Sequence, residues 1–177
     1  MVRALVGVVM GSDSDYEAME PCLKYLEQLG IPWEITVASA HRSPQRAEEY
    51  ARRAKARGLR VIVAGAGGAA HLAGVLASRT TLPVIGVPLI AGQLGGLDAL
   101  LSTAQMPAGV PVATMAIGAA GAANAAVLAA EILALADAKL SRRLEEFKHA
   151  LVAGVVKKAK AVANRAKSRS TGRRGRA

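Results

Sequence analysis

Residues 4–10, ALVGVVM, form a nearly unbroken apolar run rich in β-branched positions, the pattern of a strand covered on both faces. The period then changes, and a polar loop leads into a helical stretch from residue 14 to 29, closed by Gly30. Residues 33–38 read as a second strand. Pro44 suits the first turn of the next helix, which carries Glu48, Glu49, Arg52, Arg53, Lys55 and Arg57 on a solvated face and stops at Gly58. Residues 61–64 predict a third strand, 65–70 its loop and 71–79 a helix. The pattern repeats with a strand at 84–87, a loop beginning at Pro88, a helix at 95–104, a strand at 112–117 and a long helix at 119–137. Five β units separated by helices predict an α/β fold, a three-layer αβα sandwich around a parallel, flavodoxin-like sheet.

A further helix is appended. From residue 140 to 167, Leu144, Phe147, Leu151 and Val155 recur at spacings of three and four, a stripe expected to pack on a neighbouring subunit. The chain therefore divides into a catalytic α/β domain at 1–138, a C-terminal helix at 139–167, and a basic tail at 168–177. The tail has no hydrophobic pattern and is expected to be disordered.

At 177 residues the chain has room for one good core, and its 52% hydrophobic content excludes a disordered protein. The formal charge of +10 is unevenly placed. Up to Asp137 there are ten Lys and Arg against eleven Asp and Glu; from Lys139 onward there are thirteen against two. The globular body is therefore near neutral, and its function has to be sought on other grounds than the net charge. The aromatic residues Tyr16, Tyr25, Trp33, Tyr50 and Phe147 are too few to stack several bases, so nucleic acid is not an expected partner of the body. Cys22 stands alone, which excludes an intrachain disulfide and a multi-cysteine metal site, and reads as a buried thiol. The uncharged stretch 113–130 is made of Ala and Gly rather than Leu, Ile and Phe, so it predicts a close-packed helix and no membrane span. The expected location is the cytoplasm.

In an open parallel sheet, ligands bind beyond the carboxyl ends of the strands, so the loops after successive strands belong together. The first, Gly11-Ser12-Asp13-Ser14-Asp15, enters a helix and could cradle an anion, although an ordinary helix cap would use the same residues. Asp15 suits hydrogen bonds from sugar hydroxyls. The second, Ser39-Ala40-His41-Arg42-Ser43, offers an imidazole that gives and takes a proton near neutrality beside a guanidinium fork for phosphate. The third, 65–70, fits a loose G-x-G-x-x-A pattern but follows the third strand, and the next acidic residue, Asp98, is too distant for a dinucleotide fingerprint. Its small residues suit close backbone approach to a ligand. Three scattered histidines specify no metal site, and no G-x-S-x-G elbow suggests a hydrolase.

These stretches closely resemble the N5-carboxyaminoimidazole ribonucleotide mutase family. The matching pieces are VMGSDSD at 9–15, SAHRSP at 39–44, AGAGGAAHL at 64–72, GVP at 86–88, LDALLSTAQMP at 97–107, GVPVATMAIG at 109–118 and GAANAAVLAAEIL at 121–133. The resemblance implies an isomerase of de novo purine biosynthesis that moves the carboxylate from the exocyclic nitrogen of the aminoimidazole ribonucleotide to ring carbon C4. It implies no metal, biotin or nucleotide cofactor. It assigns the general acid and base to His41, and the ribose phosphate to Ser12, Asp15 and Arg42, with Ser39 lining the pocket. Gly68, Ala69, Ala70, His71 and Leu72 lie over the base, and Gly11, Ser14, Ala40 and Gly67 complete the substrate-binding set. It implies a homo-octamer and a functional link to the ATP-dependent carboxylase that makes the substrate.

The chain departs from the family pattern at Ala73, where proline is usual, and at Ala91-Gly92-Gln93, in a loop expected near the substrate. Two other readings compete with a mutase. One is a flavodoxin-like nucleotide-binding module without catalysis; the other, resting on the basic tail alone, is a nucleic-acid binder.

Overall fold

Strands β1 (Val6–Met10), β2 (Trp33–Val37), β3 (Val61–Gly67), β4 (Val84–Leu89) and β5 (Ala113–Thr114) pair in parallel in the order β2-β1-β3-β4-β5. This is the flavodoxin-like order that the alternation of elements predicts. The structure, a computed structural model, describes residues 3–173. Helices α1 (Tyr16–Gln28), α2 (Pro44–Arg57), α3 (Leu72–Ala77), α4 (Leu97–Ala104) and α5 (Ala119–Ala134) connect or follow the strands, and α6 (Ala138–Arg173) ends the described chain. A single 3-10 turn, Asp13–Asp15, precedes α1.

The apolar strands are explained by two hydrophobic layers. Val6, Val8, Met10, Val61, Val63, Ile85 and Val87 meet α1 and α5 through Met19, Cys22, Leu26, Ala122, Ala125 and Ala129. Their sequence neighbours Val9, Ile62, Ala64 and Val84 point the other way, onto Ala47, Ala51 and Ala54 of α2 and Leu72, Ala73 and Leu76 of α3. A period of two with both phases apolar gives the continuous runs seen in the sequence. Cys22 is buried in the first layer, and desolvation pushes its thiol up to about 12, so it is a packing residue.

Two strands run further than the sequence predicts. β3 continues through Ala64-Gly65-Ala66-Gly67 because each finds a partner in β4, at Gly86, Val87, Pro88 and Leu89. Pro88 therefore lies inside β4 and does not begin a loop. Its carbonyl accepts a hydrogen bond from Gly118 N (2.8 Å), on the side where β5 has already ended, so the missing Pro N–H costs the ladder nothing. β5 is correspondingly short. Gly86 is required here: a Cβ would lie 2.3 Å from Thr103 Cγ2 of α4 and 3.3 Å from Cβ of Ala73.

The Ala- and Gly-rich helix α5 buries Gly121, Ala122, Ala125, Ala126, Ala129 and Ala130 within its own subunit, against α1 and the sheet. Among the described residues no helix is long and apolar enough to cross a membrane. Helix α6 is capped by Asp137, whose carboxylate accepts from Lys139 N (2.9 Å) and Leu140 N (3.0 Å). Its first turns belong to the body: Leu140 and Leu144 are buried, and Phe147 meets the Tyr25 ring edge-on at 5.8 Å. Further along, Leu151, Val152, Val155, Val156 and Val162 are exposed. The expected break at residue 168 is absent, because α6 continues to Arg173; residues 174–177 of the expected tail lie outside the described residues.

Candidate active site

The register Val6↔Val61 and Met10↔Gly65 sets the carboxyl ends of β1 and β3 side by side, so the loops that follow open on one edge. There they enclose a cavity of about 340 Å³ lined by Gly11, Ser12, Ser14, Asp15, Ser39, Ala40, His41, Arg42, Ala66, Gly67, Ala69, His71, Leu72 and Ala91. Twelve of the fourteen sequence-derived candidates are in that lining.

The turn after β1 is self-bonded. Ser12 N donates to Asp15 Oδ2 (3.0 Å), Ser12 Oγ donates to Asp13 Oδ1 (3.0 Å), and Ser14 Oγ donates to Ser12 Oγ (3.0 Å). The Ser12 hydroxyl holds the Asp13 carboxyl below its ordinary range. Asp15 behaves oppositely: burial raises it, outweighing hydrogen bonds from Ser12 and Gly11 and the charge of Arg42.

The loop after β2 is closed by serines. Ser39 N donates to Ser43 Oγ (3.0 Å) and Arg42 N donates to Ser39 Oγ (3.1 Å), which fixes Arg42 at the entrance of α2. Arg42 Nη2 then reaches across to the Gly11 carbonyl (3.3 Å), tying the first two loops together. Its fork and the Ser12 and Ser14 hydroxyls line the same cavity, a grouping that can receive a phosphate.

His41 and His71 come from separate loops and meet. His41 Nε2 is 2.7 Å from His71 Nδ1, with the rings edge-on at 77° and centroids 4.9 Å apart. One nitrogen of that pair donates and the other accepts, so the two tautomers are complementary. The sequence places His71 only in the wall over the ligand; its direct bond to His41 is a tertiary feature.

Two candidates are not in the lining. Ala70 is 2% exposed and faces the interior, while Gly68 makes the turn with φ of +61°. Gly67 does line the cavity, but its lack of a side chain serves the protein itself. A Cβ there would stand 2.6 Å from Cβ of Ala91 and 3.1 Å from the Leu89 carbonyl. Ala66 and Ala91 are the lining residues that the candidate set omits. Ala91 had a signal, since it begins the segment that departs from the family pattern; Ala66 enters because β3 extends past residue 64.

A doubly wound sheet of this order, with hydroxyls, a guanidinium and paired imidazoles gathered at its carboxyl edge, defines an open α/β enzyme scaffold. A family model described as AIR carboxylase matches residues 5–153, and the chain belongs to that family. It is 55% identical over 145 residues to the N5-carboxyaminoimidazole ribonucleotide mutase of Bacillus subtilis, covering 82% of this chain and 90% of the relative. It is 52% identical over 158 residues to the Pyrococcus horikoshii mutase, covering 89% and 88%. The crystal structure of Treponema denticola PurE superposes with a TM-score of 0.78 at 25% identity, over 88% of this chain and 96% of that one.

Proposed function

We propose that the chain is an N5-carboxyaminoimidazole ribonucleotide mutase of de novo purine biosynthesis, with the cavity at the strand ends as its active site. The observation that carries this reading is that the His41–His71 pair opens into the same cavity as the Ser12–Asp15 turn and Arg42. A phosphorylated ribose at the turn and Arg42 would bring its aminoimidazole towards the imidazoles and the small residues Ala66, Gly67 and Ala69.

His41 protonates the carbamate nitrogen, the bond from nitrogen to the carboxyl carbon breaks, and carbon dioxide is released into the cavity. Ring carbon C4 attacks it, forming the new carbon–carbon bond, and the now neutral His41 removes the C4 proton. The proton returns to its starting place, so the rearrangement needs no net acid or base. Small apolar walls hold carbon dioxide and exclude the water that would carry it away. An octameric assembly, a cytoplasmic location and a link to the ATP-dependent carboxylase belong to the same proposal; the exposed Leu151, Val152 and Val155 support an intersubunit role for α6.

The test is an ATP-free assay with N5-carboxyaminoimidazole ribonucleotide on wild type and His41→Asn. Wild type interconverts the substrate with its C4-carboxylated isomer, while the variant binds the ribonucleotide and loses the shift by about 10²-fold or more. A requirement for ATP, or normal turnover in the variant, would overturn the reading.

A further inference from the structure

Helix α2 leaves the active-site edge at Pro44 and runs back towards the amino ends of the strands, where Gly58 ends it. Helix α3 runs the same way, from His71 to Ser78, on the same face of the sheet. Between the far parts of these helices and the connection to β4 lies a second cavity, of about 450 Å³, lined by Arg52, Lys55, Ser78, Arg79, Thr80 and Thr81. None of the six belongs to the active-site lining. Pro44 to Arg52 is about 12 Å at ~1.5 Å per residue, so the two cavities lie at opposite ends of the helix pair.

Every lining side chain carries a hydrogen-bond donor, and none is acidic, apolar or aromatic. Three are cations, and the carboxylate that meets them is Glu48: its Oε1 is 2.5 Å from Arg52 Nη2 and 3.8 Å from Arg79 Nε. Lys55 Nζ makes no ion pair or hydrogen bond among the described residues. One carboxylate therefore faces three positive charges. Ser78 Oγ is committed to the Val75 carbonyl (2.8 Å), but Thr80 Oγ1 accepts from Leu82 N (3.2 Å) and keeps its own hydrogen to donate. The dipole of α2 favours a cation in its last turn, which accounts for Lys55. It does not account for Arg79 and the two threonines, which belong to a different element.

We propose that this cavity is a second anion site, taking a compact phosphoryl anion and separate from the site assigned to the carboxyl shift. Shared contact with Glu48 brings the Arg52 and Arg79 guanidiniums to one place, and a multiply charged phosphate can join both to Lys55 and the threonine hydroxyls by charge-assisted hydrogen bonds. A lining without rings gives a nucleobase nothing to stack on, so charge and size carry the recognition. The arginines are half-exposed or more, which makes the binding salt-sensitive. An occupant links α2 to the segment after α3 and stabilises the folded chain by mass action. None of this depends on which reaction the first cavity performs.

The experiment is calorimetric titration of the full-length Arg42→Ala variant, which lacks the guanidinium of the first cavity, with inorganic diphosphate at about 50 mM salt. A saturable site should remain. Adding Lys55→Gln and Arg79→Gln should weaken it by about tenfold or more, whereas Lys55→Arg with Arg79→Lys should retain most of the affinity. Ribose 5-phosphate, titrated separately, distinguishes a sugar-borne phosphate from a free one by which binds more tightly. With Arg42 intact, the Gln pair should keep wild-type mutase turnover, which reports an intact fold and a separate site. No saturable binding to Arg42→Ala, equal affinity in the Gln pair, or loss of turnover in that pair would each overturn the proposal.

Discussion

His41 Nε2 lies 2.7 Å from His71 Nδ1, so the loops after β2 and β3 are joined through two imidazole rings at the cavity. A bond between the rings constrains which nitrogen of His41 carries a proton and how the ring is turned. This gives His71 a positioning role in addition to its place in the wall. His71→Asn should lower kcat by about tenfold while KM changes only a few-fold, a smaller loss than His41→Asn causes. Steady-state kinetics across pH checks this: an unaltered kcat and pH profile would mean the pairing is inert.

Arg42 spans the first two loops and offers the cavity's guanidinium. A charge-assisted phosphate contact contributes about 1.5–3 kcal/mol, so Arg42→Ala should raise KM by roughly 10- to 100-fold with a smaller change in kcat. Arg42→Lys should recover part of the loss, because charge remains while the planar fork is gone. Equal KM in all three proteins would remove Arg42 from phosphate recognition.

Burial raises the Asp15 carboxyl above its ordinary value of 3.8. The folded protein therefore binds this proton more tightly than the unfolded chain, and Asp15 lowers stability progressively as pH rises from 3.8 through the raised value. Asp15→Asn should thus melt higher than wild type at pH 7 and flatten that part of the stability profile, yet bind the ribonucleotide more weakly. Melting curves over pH and a binding titration read the two effects separately. A lower melting temperature at pH 7 would show that the carboxylate's hydrogen bonds to Ser12 and Gly11 outweigh its burial.

Asp137 has the opposite sign. Hydrogen bonds from Leu140 N and Lys139 N hold its carboxyl below 3.8, so its stabilisation of α6 is complete above that value and disappears as pH falls through the lowered folded value. Asp137→Ala should melt lower at neutral pH, with the difference from wild type closing in acid. Thermal melts at both ends of that range test the cap.

Two glycines should respond in opposite directions to alanine. At Gly121 a Cβ would fall 1.7 Å from the Ala116 carbonyl oxygen, a backbone atom that cannot swing aside. Gly121→Ala should cost at least about 1–3 kcal/mol by overpacking. Gly154 in α6 has nothing within 4 Å, so alanine there should stabilise the helix by about 0.5–1 kcal/mol through better propensity. Denaturant unfolding measures both.

The element series was readable because a parallel sheet with helices on both faces imposes apolar runs on strands and amphipathic periods on helices, and Gly30 and Gly58 mark two helix ends. Boundaries were less readable. Gly65, Ala66 and Gly67 have turn-like composition, but β4 supplies a partner for each, and pairing overrides local preference. The small side chains of the Ala-rich stretch of α5 let α1 and the sheet approach it closely, a partner that composition alone does not name.

By itself the sequence determined the alternation of five strands with helices, the segregation of charge after Asp137, and the polar types at each strand end, since these depend on local periodicity and composition. Only the tertiary structure decided which of those groups meet. His41 and His71 are thirty positions apart, and their bond exists because parallel pairing of β1 with β2 and β3 levels the strand ends. The same packing turned Ala70 inward, spent the Gly67 space on Ala91, and kept only the first turns of α6 on the body. Those outcomes depend on contacts distant along the chain, which local sequence patterns do not encode.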